Sequence, residues 1–76
     1  MKDLIRYIAA ALVDNPDMVQ VAEKEEDDTV IIELTVAKED LGKVIGKQGR
    51  TAKAMRSLLS AAAGKVNKRS RLEIME

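Results

Sequence analysis

The residues best suited to chemistry lie at positions 44–50, with the sequence Val-Ile-Gly-Lys-Gln-Gly-Arg. Two glycines three positions apart let the backbone turn sharply and leave no Cβ between it and an incoming ligand. If a helix begins directly after Gly49, its free N–H groups and positive dipole end face the same ligand. Lys47 and Arg50 add positive charge. The stretch is therefore suited to binding a phosphate, and a sugar-phosphate backbone is the leading candidate.

The same spacing also has a purely structural explanation. Gly46 could end one helix and Gly49 could open the next, with the charged side chains simply solvated. A bare G-x-x-G spacing arises often by chance, so the elements around the loop must decide between the two explanations.

Composition excludes several classes of function. The chain has 76 residues, 46% of them hydrophobic and 34% charged, which indicates one small globular domain. It contains no cysteine and no histidine, which excludes a zinc site, a disulfide framework and Ser-His or Cys-His catalysis. We expect no metal and no cofactor. Asp3 and Arg6 interrupt any apolar leader, and no run approaches the ~20 apolar residues of a membrane span, so we expect a cytoplasmic protein.

Charge is distributed unevenly, although the net charge is zero. Residues 1–37 hold three basic and nine acidic side chains, whereas residues 38–71 hold ten basic and two acidic ones. The basic segment surrounds the glycine loop, and contacts with phosphates need such a local positive patch. A solvated helix face is the alternative explanation, but the shape of the loop favours anion binding.

Hydrophobic spacing predicts a helix and two strands before the loop. Apolar residues repeat at helical spacing over residues 2–14, and Asn15-Pro16 ends that helix. Residues 18–22 and 29–36 read as an antiparallel hairpin around residues 26–28, with the acidic run 23–28 as a solvated turn. In the second strand one face is expected to be buried and the alternate residues, including Ile31, to face away. The buried face comprises Val30, Ile32, Leu34 and Val36.

Two helices and a strand are predicted around and after the loop. Residues 38–45 read as a short helix with its acidic residues near the N-terminus, where the dipole favours them. A longer helix follows from about residue 50 to 63, and Gly64 ends it. Residues 69–75 alternate as a third strand with Leu72 and Ile74 inward. The predicted core face of the longer helix comprises Ala52, Met55, Leu59, Ala62 and Val66.

The longer helix carries a second apolar stripe formed by Ala54, Leu58 and Ala61. These residues are spaced four and three apart, so they share one face of the helix. A small domain gains from burying such a surface against a second copy, which makes the stripe a candidate dimer interface. The alternative is that the stripe packs under the N-terminal helix.

The element order is therefore helix, strand, strand, helix, glycine loop, helix, strand, in one domain over residues 1–76. This order predicts an α+β fold with three helices on one face of a three-stranded sheet. Loop and order together resemble a type II KH domain, which has the order α-β-β-α-α-β. The whole chain is similar to the small single-domain bacterial KH proteins of the KhpA group. The resemblance rests on the isoleucine before the first glycine, the basic and polar pair between the glycines, and Arg50-Thr51 after them.

The resemblance implies a non-catalytic protein that binds single-stranded RNA, as a post-transcriptional regulator or RNA chaperone. The loop would clamp the backbone of about four unpaired nucleotides, and the strand 30–36 would form the opposing wall. The resemblance also implies self-association and a larger KH-containing partner of the Jag/KhpB type. Residues expected to hold phosphates are Gly46, Lys47, Gln48 and Gly49. Residues expected to form the apolar floor under the bases are Val44 and Ile45. Further phosphate contacts expected from position and charge are Lys43, Arg50 and Lys53.

The sequence favours RNA binding over two other classes of function. The chain has no Phe, no Trp and one Tyr, which disfavours binding by aromatic stacking and leaves a backbone clamp with an aliphatic groove. The alternative is a protein-interaction subunit with weak or no RNA binding, but Lys47 and Gln48 suit phosphate. An enzyme is disfavoured because no cluster combines a nucleophile, a base and a pocket.

Overall fold

The computed structural model describes residues 1–75 as three helices packed on one face of a three-stranded sheet. The strands lie in the order β1-β2-β3, with β1 antiparallel and β3 parallel to the central β2. The predicted α+β fold and element order are confirmed. The helices and strands are α1 (Lys2–Leu12), β1 (Gln20–Glu26), β2 (Thr29–Thr35), α2 (Leu41–Ile45), α3 (Arg50–Gly64) and β3 (Arg69–Met75). Short 3-10 turns occupy Pro16–Met18, Lys38–Asp40 and Lys47–Gly49.

A two-residue turn joins β1 to β2. Asp27 and Asp28 have φ values of 49° and 61°, as the central residues of a type I′ hairpin turn require. The predicted hairpin is confirmed, but β1 runs further into the acidic segment than expected, because Glu26 pairs with Thr29. Thr29 also pairs with Arg69 on its other side. The acidic turn therefore lies at the end of the sheet where β3 begins.

The core is built on β2. Its helix-facing residues Val30, Ile32 and Leu34 are at most 2% exposed, which confirms the predicted buried face. Ile31 lies on the opposite face, as expected, but it is buried there, with only 7% of its surface exposed. Ile31 lies between Lys24 of β1 and Arg71 of β3. The aliphatic stems of such side chains can cover an apolar neighbour and leave their charges in water.

The core face of α3 follows the predicted spacing over most of the helix. Ala52, Met55 and Leu59 are buried as expected, but the last buried position is Ala63 rather than Ala62, which is only half-buried. Val66 is 53% exposed and lies beyond the helix, so its assignment to the core was wrong. The chain leaves the helix through Asn67, which has a φ of 60°.

The first helix is shorter than predicted. It buries Ile5 and Ala9 against the sheet but ends at Leu12, because Val13 adopts extended dihedral angles. Tyr7 lies on its solvent side, 78% exposed. In the part of the chain described here, no helix has both the length and the apolar character needed to cross a membrane.

Candidate nucleic-acid interface

The glycine loop adopts a conformation that only glycine tolerates at its first position. Gly46 has a φ of 78° and a ψ of 169°, and a Cβ there would lie 2.7 Å from the Cβ of Thr51 and 2.8 Å from its backbone nitrogen. Gly46 is therefore required by the close approach of the loop to the first turn of α3. Gly49 has a φ of 74° with open space around it. Glycine is therefore favoured at this position by the backbone conformation and not by a lack of room for a side chain.

Backbone hydrogen bonds hold the loop between α2 and α3. The N–H of Gly46 donates to the carbonyl of Gly42 at 2.8 Å, and the N–H of Gly49 donates to the carbonyl of Gly46 at 3.0 Å. The left-handed turn at Gln48, with a φ of 58°, leaves the Gln48 and Lys47 side chains exposed. As predicted, α3 begins directly after Gly49, and no side chain caps it. Its positive end therefore faces the loop.

A groove runs from the loop along the seam between α3 and β3. A hollow of about 300 Å³ adjoins the loop and is lined by Ile45, Gly49, Ala52, Arg56 and Ile74. A larger cleft of about 680 Å³ continues along the same seam towards the start of β3. Arg56 lines both hollows, so it lies where the two adjoin.

The structure divides the two residues that precede the loop between the core and the surface. Val44 is fully buried in the core, so its side chain cannot form the floor on which bases would lie. Ile45 is 38% exposed and lines the hollow beside the loop. Of the two predicted floor residues, only Ile45 reaches the groove surface.

The opposing wall of the groove is β3 rather than the predicted strand 30–36. The helix-facing residues of that strand are buried because β2 is the central strand. Ile74 of the edge strand β3 lines the hollow instead. Ile74 and Arg56 were absent from the predicted site. Two sequence signals could have indicated them, namely the inward alternation of the third strand and the four-residue spacing from Ala52 to Arg56.

The predicted basic contacts differ in how freely they can meet a ligand. Lys47 and Lys53 are exposed and form no ion pair with any other residue in 1–75. Arg50 donates from Nη2 to the Oε1 of Gln48 at 3.0 Å, which holds its guanidinium over the loop. Lys43 is paired with the Asp14 carboxylate at 2.9 Å. This hydrogen bond and the charge of Asp14 raise the pKa of Lys43 against the opposing effect of burial.

A buried carboxylate anchors the helix that leads into the loop. Asp40 is fully buried and accepts hydrogen bonds from the backbone N–H of Asp14 and from the backbone and side-chain N–H groups of Asn15. Burial opposes its ionisation, but the hydrogen bonds from Asn15 and Asp14, with the nearby charge of Lys43, outweigh it and lower the Asp40 pKa. Sequence reasoning gave Asp40 only a helix-dipole role. It missed this anchor because the partners lie about 25 residues away.

The second apolar stripe of α3 lies on the surface. Ala54 and Ala61 are exposed, and Leu58 is 50% exposed. The alternative in which the stripe packs under α1 is therefore wrong. Within residues 1–75, no group of His, Cys, Asp and Glu side chains is arranged to hold a metal ion.

Fold and loop together define the class of the protein. The α-β-β-α-α-β order, the mixed three-stranded sheet and the glycine loop between two helices are those of a type II KH domain. The model of the family described as KhpA/KhpB, KH domain, matches residues 2–74. The chain belongs to this family, which is non-catalytic, as the sequence predicted.

Curated relatives match over almost their whole length. RNA-binding protein KhpA of Halalkalibacterium halodurans is 55% identical over 76 residues, which is 100% of both chains. RNA-binding protein KhpA of Clostridium acetobutylicum is 57% identical over 75 residues, covering 99% of this chain and 100% of the relative. RNA-binding protein KhpA of Aquifex aeolicus is 53% identical over 76 residues, covering 100% of this chain and 96% of the relative. The comparison with solved structures found no significant match.

Proposed function

We propose that this protein binds single-stranded RNA as a single KH domain over residues 1–76. The glycine loop clamps the sugar-phosphate backbone, and the groove between α3 and β3 receives the bases. The observation that carries the proposal is an exposed, glycine-bounded loop beside a groove, followed directly by a helix that begins without a side-chain cap. The relatives named RNA-binding protein KhpA add support.

Each part of the site has a separate role in this proposal. The backbone of Gly46 and Gly49 brings the loop close to phosphates, while Lys47 supplies charge and Gln48 supplies hydrogen bonds. Arg50 and Lys53 contact phosphates further along the bound RNA. Lys43 does so only after its ion pair with Asp14 is broken. Bases lie on Ile45 and against Ile74 of β3, with Val44 supporting the floor from beneath.

Replacing both Lys47 and Gln48 with Asp tests the clamp. Two carboxylates beside phosphates replace attraction with repulsion, so we expect a loss of roughly 2 kcal/mol of binding free energy or more. Both side chains are exposed, so the unfolding temperature should change little. Labelled single-stranded RNA titrated into both versions measures the effect. Unchanged affinity in the variant would remove the loop from the mechanism.

Dependence on salt and strandedness separates a clamp from a general basic surface. With about two to four phosphates neutralised, log affinity should fall against log salt with a slope of about −1.4 to −2.8. A duplex of matching length should bind more weakly, because its paired bases cannot enter the groove. Equal affinity for duplex and single strand would contradict the proposed groove.

The exposed stripe of α3 supports a second function, in protein interaction. Half-exposed Leu58 lies between exposed Ala54 and Ala61, so two such helices can approach closely about a two-fold axis. A second copy, or a larger KH-containing protein of the Jag/KhpB type, would cover this face. The two functions are compatible, because a dimer presents two loops to one RNA. As an RNA-binding protein it would act in the cytoplasm as a post-transcriptional regulator or RNA chaperone.

A further inference from the structure

The larger cleft has a predominantly basic lining. Residues 68–73 border it in one unbroken run, whereas a strand face would contribute only every second residue. The cleft therefore follows the free edge of β3. Glu73 is the one acidic residue of the lining. The basic residues that line the cleft are Arg56, Lys68, Arg69 and Arg71.

Two of these four cations are paired within the protein. The ammonium group of Lys68 donates to the Oε1 atom of Glu25. The guanidinium of Arg71 donates from Nη2 to the Oε2 atom of Glu73 at 2.9 Å. The carboxylates balance these two positive charges, so an anion in the cleft is attracted mainly by the other two cations.

The other two cations are Arg56 and Arg69, and they form no ion pair with any residue up to position 75. Arg56 also lines the hollow beside the glycine loop, whereas Arg69 is the first residue of β3 and does not line that hollow. Both residues are exposed. The cleft therefore offers a free guanidinium group near the loop and a second one at its far end.

The distance between the two ends corresponds to a few nucleotides. From Ile74, which lines the hollow beside the loop, to Arg69, β3 spans about 16 Å. Phosphates along a stacked strand are about 3.4 Å apart, so about five nucleotides at most cover this distance. A KH glycine loop clamps about four nucleotides. A strand held at the loop therefore reaches Arg69 only if it extends beyond those nucleotides.

An acidic turn limits the path beyond Arg69. The backbone N–H of Arg69 donates to the carbonyl of Asp28 at 2.9 Å, so the turn formed by Asp27 and Asp28 lies beside the start of β3. Phosphates that continued past Arg69 in this direction would meet like charge, which is unfavourable. Arg69 is therefore the outer end of the basic path.

We propose that Arg69 binds a phosphate of single-stranded RNA, so that the protein prefers strands of about nine nucleotides to strands of about four. Arg69 is then a specificity-determining residue for strand length. This inference rests on the proposed function, since the glycine loop holds the first part of the same strand. A guanidinium suits this role, because its N–H groups donate in pairs to phosphate oxygens.

The substitution Arg69→Gln tests the inference with labelled single-stranded oligoribonucleotides of about four and about nine nucleotides. A longer strand offers more binding registers, so the variant is compared with the native protein on the same strand. We expect Arg69→Gln to bind the longer strand about two- to fivefold more weakly, as for loss of an exposed ion pair. Its salt slope should become shallower by about 0.7, the value for one phosphate contact on a single strand. Affinity for the shorter strand should not change.

A matched variant and modified strands show whether Arg69 acts by direct contact. Arg6→Gln removes the same charge from an exposed position on α1 that lines neither hollow. It should leave both affinities within about 1.5-fold at physiological ionic strength. The longer strand is also prepared with neutral methylphosphonate linkages in its 5′ half or in its 3′ half. Arg69→Gln should have no effect on the strand whose neutral half occupies the cleft, because the contact is already absent.

The outcomes separate this inference from the proposed function, with circular dichroism as the check on folding. Equal losses for the short and long strands, or an equal loss in Arg6→Gln, would overturn the role of Arg69 in strand length. An undiminished effect on both modified strands would overturn the phosphate contact. If the native protein binds both strands and Arg69→Gln changes neither affinity, only this inference fails. If the native protein binds neither strand, the proposed function fails and this inference fails with it.

Discussion

Asp40 accepts two hydrogen bonds from Asn15, one from its backbone N–H and one from its side-chain N–H, each at 3.0 Å. Asn15 follows α1, and Asp40 immediately precedes α2. These two bonds therefore tie the end of the first helix to the helix that enters the glycine loop. Since Asp40 is fully buried, no water can replace a lost partner without a change in packing.

Replacing Asp40 with Asn should destabilise the protein, and the effect should depend on pH. The folded-state pKa of Asp40 lies below its ordinary value of 3.8, so its stabilising contribution is present above that value and is lost as pH falls through the folded pKa. Thermal unfolding should therefore show a lower midpoint for the variant near neutral pH and a shrinking difference below pH 3.8. Glu39→Gln, at an exposed neighbouring position, is the control. A difference that stays constant down to pH 2 would contradict this account.

Replacing Gly46 with Ala should damage the loop from within. The new Cβ would clash with Thr51, and alanine would have to adopt a φ of 78°, which is strained for any residue with a side chain. We therefore expect a loss of about 2 kcal/mol or more in unfolding free energy. Gly42→Ala is a matched control, because no heavy atom lies within 4 Å of its added Cβ and its position is helical. Chemical denaturation measures both. Equal stability of the two variants would show that the loop relaxes around Gly46.

Replacing Arg56 with Met should weaken RNA binding without loss of stability. The side chain is exposed and borders both parts of the groove, so its loss removes charge from the centre of the proposed path. We expect affinity to fall about tenfold or more, since one hydrogen bond to a charged group contributes about 1.5 kcal/mol or more. Lys65→Met removes the same charge just beyond α3, outside both hollows, and should cost much less. Similar losses in the two variants would indicate that only total charge matters.

If the proposed dimer forms through the exposed stripe of α3, replacing Leu58 with Glu should convert it into a folded monomer. Two carboxylates would face each other in an apolar seam about the two-fold axis, which is unfavourable. Sedimentation or light scattering reports the mass, and circular dichroism reports folding. Ser57→Glu, next to the stripe and also exposed, should leave the assembly intact. A native protein that is monomeric at high concentration would remove this interface altogether.

Local patterns were sufficient to predict the elements and the loop. The alternation of Val30, Ile32 and Leu34 depends only on the two-residue period of a strand, so their burial could be read directly. The glycine spacing likewise predicted the start of α3. These features depend on residues that are close together along the chain, so they can be read from a single sequence.

Features that depend on distant neighbours could not be predicted in the same way. The order of elements along the chain does not specify the order of strands in the sheet. Because β3 lies at the edge beside β2, its residue Ile74, and not a residue of β2, lines the groove. Ile31 lies between Lys24 and Arg71 of two flanking strands, so its surroundings could not be inferred from β2 alone. Asp40 was misjudged for the same reason, since its partners come from the end of α1.

The parallel pairing of β2 with β3 has a consequence for the order of folding. A turn of two residues connects the paired strands β1 and β2. The pairing of Thr29 with Arg69, in contrast, closes a loop of 39 intervening residues. Closing the longer loop costs more chain entropy, so we expect β3 to dock late in folding and to detach first in partial unfolding. Native-state hydrogen exchange would detect this as faster exchange of β3 amides than of β2 amides. Because β3 carries one wall of the groove, a molecule with β3 detached would keep its glycine loop and lose the surface against which we propose that bases bind.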